Sequence, residues 1–220
     1  MKCRVVCLCT MLLAGAVAVS ALPAAFVARA GHHFGGIIDN SSVDAVSGAT
    51  QWGYRAGVGA QVAIGRHHVE AGLEYLHFAQ SISYADATEG FDGSYDLSYN
   101  EMRIPLSYNL NLLENSDGKP LGVVRTGPCL GFVFGEQSDS SGTVPAYETG
   151  GAEMGVLLSG TLYPLRRPGG FSFGVCCDFY RGFTSFFRDP YHEKNHFEHG
   201  RLSTLGLGLV VRFDPASAGP

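Results

Sequence analysis

The chain of 220 residues is long enough for one domain of ordinary size, and a formal net charge of −5 gives no reason to expect a nucleic-acid partner. Only 16% of the residues are charged, whereas glycine occurs 30 times. That balance disfavours a helical bundle and suits a β-sheet wall.

Residues 1–30 read as a secretory signal. Lys2 and Arg4 supply the positive start and Val5 to Val19 the apolar run. Ala28-Arg29-Ala30 offers an A-x-A-like cleavage site, with Val19-Ser20-Ala21 as the competitor. Val5 to Ala28 is almost long enough for an uncleaved anchor, but Pro23 and the clustered small residues favour cleavage. No cysteine directly follows either site, which disfavours a lipoprotein. A cut after Ala30 removes Lys2, Arg4 and Arg29 and leaves a formal charge of −8 (12 − 20). It also removes Cys3, Cys7 and Cys9 and leaves Cys129, Cys176 and Cys177, an odd number. A Cys129–Cys176 bridge is conceivable, but free apolar thiols are the simpler expectation.

His32 to Ile38 is a weak first strand, and Asp39 to Thr50 a loop. Trp52 to Ile64 alternates, with Trp52, Tyr54, Val58 and Ile64 on one side and Arg55, Gly57 and Gly59 on the other. Gly65-Arg66-His67 turns into a strand running to about Phe78, with Glu70 and Glu74 opposite Val69, Leu73 and Tyr75. Gln80 to Tyr95 reads as loop. Tyr99 to Leu113 alternates almost strictly. Met102, Ile104, Leu106, Tyr108, Leu110 and Leu112 oppose Glu101, Arg103, Pro105, Ser107, Asn109 and Asn111. It is long for a globular strand and close to what a tilted strand needs to cross a bilayer.

Glu114 to Pro120 is a compact turn. Leu121 to Phe134 follows, with Arg125 on the polar side and Pro128 suggesting a bulge or bend. Gly135 to Ala146 reads as loop and Glu148 to Tyr163 as a strand carrying Glu153. Pro164 to Gly170 turns, Phe171 to Tyr180 carries Asp178, Phe183 to His199 is loop, and a strand carrying Arg212 ends at Phe213.

Eight strands joined by alternately long and short connections predict an all-β protein: an eight-stranded antiparallel up-and-down transmembrane barrel over residues 31–213, with a short extension over 214–220. A lipocalin-like barrel has the same strand number. Sparse mid-strand charges among outward apolar residues fit the inside-out, membrane form better. The expected location is the cell outer membrane, with its lipids as partner. Arg55, Arg103, Arg125 and Arg212 are expected to meet Glu70, Glu74, Glu101, Glu153 and Asp178 in the lumen. So narrow a barrel is filled by side chains, so these read as a structural plug; an acid–base role for Glu74 and Glu101 is the weaker reading.

Tyr99-Asn-Glu101-Met-Arg-Ile104-Pro105-Leu106 resembles the "Tyr-x-Glu-Ile-Pro-Leu" strand of the PorT-like outer-membrane β-barrel domain family, with Met-Arg inserted. Arg125-Thr-Gly127-Pro128-x-Leu-Gly131 is similar to its "Ala-Gly-Pro-x-x-Gly" strand. Glu74-Tyr75 and Phe179-Tyr180-Arg181-Gly182-Phe183 resemble two further positions with looser spacing. The resemblance covers about residues 31–213, groups the chain with barrels shaped like OmpX, OmpA and OmpW, and implies location more than chemistry. Gly208-Leu-Val-Val211-Arg-Phe213 also resembles a last-strand signal for the barrel-assembly machinery, although Asp214 to Pro220 follow it.

His192, His196 and His199 form a weak metal-binding candidate in a loop, in no established spacing. Gly57-Val-Gly59 lies in a strand, so it makes no phosphate cradle, and no cofactor is expected. The expected function is that of a closed, non-enzymatic barrel whose surface loops bind an external ligand, mediate adhesion or support envelope integrity. The alternatives are OmpW-like passage of small hydrophobic molecules through a lateral gap near Gly127-Pro128 and, with less support, a lipid-modifying enzyme.

Overall fold

Inward and outward alternation along almost the whole chain leaves each strand needing a partner on both edges, and closure of the sheet supplies them. The computed structural model describes residues 24–38, 46–49, 51–86, 91–116, 118–140, 150–184 and 201–215. Its strands are β1 (Ala24–Ile38), β2 (Val46–Ala49), β3 (Gln51–Ile64), β4 (His67–Asp86), β5 (Phe91–Glu114), β6 (Pro120–Ser140), β7 (Ala152–Arg167), β8 (Phe171–Gly182) and β9 (Arg201–Phe213). Omitting β2, the order β4-β3-β1-β9-β8-β7-β6-β5 is closed by pairing of β4 with β5, giving an eight-stranded antiparallel barrel. β2 is a short satellite on the outer end of β4, paired from Val46↔Tyr84 to Ala49↔Ser81, inside the stretch expected to be loop.

Four boundaries differ from the sequence reading. First, β1 begins at Ala24, not His32. It pairs with β3 from Ala24↔Val62 and with β9 from Phe26↔Phe213, so the boundary expected after Ala30 falls inside a wall strand. Second, Gln80 to Tyr95 is no loop: β4 and β5 stay paired to Asp86↔Phe91. Third, β6 follows them to Ser140. An antiparallel ladder continues through polar residues once its register is set, because the main-chain bonds do not require an apolar face. The wall is therefore tall on one side, where β5 has 24 residues, and low on the other, where β8 has 12. Fourth, β7 passes through Pro164 to Arg167, with a register shift between Leu162 and Leu165.

Pro128 does not bulge. The β6–β7 register is unbroken across it, and the β5–β6 register is the same on both sides. Near Pro128 the β5–β6 pairs lapse between Pro105↔Cys129 and Tyr108↔Thr126, where proline removes a donor; the register itself shifts elsewhere, between Ser98 and Asn100 and around Leu113. The two backbones still touch there: a Cβ on Gly127 would collide with the Leu106 carbonyl oxygen. Cys129, Cys176 and Cys177 are all free thiols. Cys129 on β6 and Cys176 on β8 are separated by the intervening β7.

Candidate functional site

The period of two sends one face of each strand inward, and the inward positions carry the charges. Among the described residues, Arg29, Arg55, Arg103, Arg125 and Arg212 are buried with Glu70, Glu74, Glu101, Glu153 and Asp178: five cations against five carboxylates. All nine residues expected in the lumen are there. The tenth, Arg29, had been assigned to the leader.

These side chains form distinct clusters. Glu70 is fully buried and accepts from Arg29 Nη1 (2.6 Å) and Nη2 (3.0 Å), Arg125 Nη1 (3.0 Å), Gln61 Nε2 (2.7 Å) and Asn109 Nδ2 (2.9 Å). Arg125 Nη2 donates to Glu74 Oε1 at 2.7 Å, joining the two carboxylates through one guanidinium. Arg55 pairs with Asp178 and lies 3.5 Å from Cys176 Sγ. Nearer the long-loop end, Arg103 forks onto Glu101 through Nε (2.7 Å) and Nη2 (2.9 Å). It stands 3.6 Å from Glu153 and lies 3.7 Å over the Tyr180 ring. Arg212 instead meets His68 Nε2, at 3.2 Å. Arg103 stands directly across from Glu74 in the β4–β5 ladder, yet its side chain forks onto Glu101 while Glu74 accepts from Arg125, because alternation fixes the face of a residue and not which neighbour its side chain reaches.

Inner glycines make room for these groups. A Cβ at Gly59 would come within 2.9 Å of Glu70 Oε1, and one at Gly57 within 2.6 Å of Glu74 Cγ. Aromatic and aliphatic side chains lie beside the charges. His33 stacks on Phe78 (5.4 Å, 8°) and Phe78 meets Tyr99 (5.1 Å), with Leu76, Leu97 and Leu202 also buried. At the short-turn end Val27, Val123, Tyr163, Cys176 and Val210 form an apolar cluster.

The outward face is the reverse. Leu209 is 68% exposed, Val58 61% and Leu158 49%. Phe26, Phe213 and Phe171 stand in one cross-strand row at the short-turn end. Phe34, Trp52, Tyr54, Tyr75 and Phe134 line the other edge, with ring contacts between Phe34 and Trp52 and along Tyr54, Tyr75 and Phe134. On β1, Phe26 and Phe34 stand eight positions apart, which at about 3.3 Å per residue and a tilt of ~40° spans roughly 20 Å of barrel height. That is near the roughly 25 Å apolar band of outer-membrane barrels, whose rims carry aromatic girdles and whose interiors are polar. A soluble barrel would have the two faces exchanged.

The chain is a small eight-stranded outer-membrane β-barrel. No family model matches its sequence, and no curated protein does. The PorT-like resemblance therefore stays a likeness of motifs. Similar solved structures include the outer-membrane protein OprG from Pseudomonas aeruginosa (9% identity, 87% of this chain, 97% of that one, TM-score 0.49). Others are Neisserial surface protein A (10%, 87% and 97%, TM-score 0.40) and outer membrane protein AlkL (10%, 90% and 94%, TM-score 0.42). Identities this low and superpositions this loose carry nothing residue-specific to this barrel.

His192, His196 and His199 lie outside the described residues. Among the described residues, no group of three or more His, Cys, Asp or Glu is placed to hold a metal ion. Gln61, Asn109 and Tyr180 read as polar-face positions in the sequence but are given no part in the charge network there; the structure bonds Gln61 and Asn109 to Glu70 and sets Tyr180 beneath Arg103. Each sits at an inward position of an alternating strand, a signal that was available, but neutral groups do not announce a partner.

Proposed function

We propose that the barrel is a closed anchor and that its work is done at the long-loop rim, by binding an external ligand, by adhesion or by supporting the envelope. The observation that carries this reading is the filling of the lumen by ten balanced charges, of which all but Arg212 stand in ion pairs with one another. Ions buried this way are tolerated when paired and hydrogen-bonded, and opening a path between them would strand several at once. The barrel is read as non-enzymatic. Its partners are taken to be the surrounding lipids and, from the Gly208–Phe213 segment of β9, the barrel-assembly machinery. Purified protein in planar bilayers is expected to give no single-channel conductance at neutral pH. Regular open-channel steps that vanish on heat denaturation would overturn the closed lumen.

A second reading is passage of small hydrophobic molecules through the wall. The lapse in the β5–β6 ladder at Pro128 and the buried Phe78, Tyr99, Leu97 and Leu202 favour it. The contact of Gly127 with the Leu106 backbone speaks against a standing gap. Uptake of a hydrophobic dye into proteoliposomes, lost on changing Pro128, would select this reading.

A further inference from the structure

Barrels of this kind turn their short connections to the periplasm, and here that rim is unevenly charged. Lys119 at the start of β6, Arg166 and Arg167 at the end of β7, and Arg212 near the end of β9 line one cleft with Phe171, Ser172 and Gly170. Asp214 is the one carboxylate lining it. The cleft is built rather than incidental. Arg166 Nη2 donates to the Pro120 carbonyl oxygen, holding its guanidinium across the β6–β7 seam. The Lys119 backbone N–H donates to Asn115 Oδ1 at 2.8 Å, fixing the turn that presents the ammonium. The Asp214 N–H donates to the Gly170 carbonyl at 2.9 Å, which ties the end of β9 to the β7–β8 turn.

The height of the cleft decides its occupant. Phe171 lines it and also belongs to the girdle, with its ring 4.8 Å from Phe213. Leu165, one position before Arg166, points outward and is 66% exposed. Lys119, Arg166 and Arg167 thus stand at headgroup level with Asp214, and Arg167 sits across from the outward Phe171 beside the acyl-facing wall, while Arg212 lines the inner floor of the cleft, buried against His68. Phosphate is the anion found at that depth, and guanidinium forks match its oxygens. We propose that this cleft binds the phosphate of an anionic phospholipid in the periplasmic leaflet. The inference rests on the membrane orientation of the barrel and not on what its outer loops do.

The test uses full-length barrel refolded in zwitterionic micelles, with bound lipid read by native mass spectrometry. Phosphatidylglycerol is offered against phosphatidylcholine of the same chains. Wild type should retain phosphatidylglycerol preferentially. The Lys119→Gln/Arg166→Gln/Arg167→Gln variant should lose on the order of tenfold or more of that retention, since each cation near an anionic lipid surface contributes. Arg66→Gln, on another turn of the same rim, should change it little. An unheated gel checks that the triple variant is folded. If it is not, the single Arg167→Gln should still lower retention several-fold. Equal retention of the two lipids, or full retention by the folded variant, would overturn the proposal. Displacement of the lipid by millimolar inorganic phosphate would identify a free-phosphate site and would also overturn it.

Discussion

A chain that starts at Gly31 will not close the barrel, whereas one that starts at Leu22 will. Ala24 to Ala30 pairs with β3 on one edge and, from Phe26, with β9 on the other. Removing it opens both seams at the short-turn end and exposes two rows of unpaired main-chain groups to lipid, where each costs several kcal/mol. It also deletes Arg29, which forks onto Glu70, and breaking a buried pair costs about 3–5 kcal/mol. Against a total stability of about 5–15 kcal/mol these losses are decisive. Refolded in detergent, the Leu22 chain should show the fast, compact band on unheated gels and the Gly31 chain should not. Equal folding would show β1 to be dispensable below His32. We accordingly propose that the leader ends after Ala21, so the intact mass of the mature protein should correspond to a chain beginning at Leu22.

Arg103→Glu should be the most damaging single change in the lumen. It replaces the cation between Glu101 and Glu153 with a third carboxylate, and removes the guanidinium lying over Tyr180. The broken buried pair accounts for about 3–5 kcal/mol, the lost cation–π contact for about 0.5–2 kcal/mol, and like-charge repulsion adds to both. The urea midpoint should fall steeply or the folded band disappear. Arg103→Lys should be milder, since an ammonium keeps the charge but not the fork. The exchange Glu101→Arg/Arg103→Glu should recover part of the loss, as coupled neighbours do. An unchanged midpoint for Arg103→Glu would mean that the charges fill the lumen without holding it together.

The membrane part of the wall was legible because its two faces differ so much. Tyr99 to Leu112 reads outward and inward without error: Ile104 and Leu106 are exposed, Glu101 and Arg103 buried, and the alternation ends at a register shift at Leu113. Where that contrast disappears, legibility ends. Apart from Phe26 and Arg29, Ala24 to Ala30 carries only alanine and valine, which mark neither face strongly, and Ala28-Arg29-Ala30 copies a cleavage pattern, so Arg29 drops out of the charge balance read from the sequence. Ser81, Ser83, Ser94 and Asp96 sit where the tall side of the wall rises beyond the apolar band, and their turn-forming composition outweighs the short alternation that Ile82, Tyr84, Tyr95 and Leu97 make with them. Pro128 was misjudged because its missing donor is absorbed by a lapse in pairing toward β5, without a shift of register. Which acid meets which arginine depends on strand stagger. Stagger accumulates around the closed sheet and is written in no single segment.

The inside-out wall itself is tested most directly by the depth of two tryptophans. Trp52 is the only one in the chain and is 71% exposed in the long-loop girdle. Leu209 stands nearer mid-height on the same outer surface. In vesicles of brominated lipids, Trp52 of the native protein should be quenched most by bromines close to the headgroups. The Trp52→Phe/Leu209→Trp variant should be quenched most by bromines deep in the chains. Emission from either residue that no brominated lipid quenches would contradict a barrel whose apolar face meets the membrane.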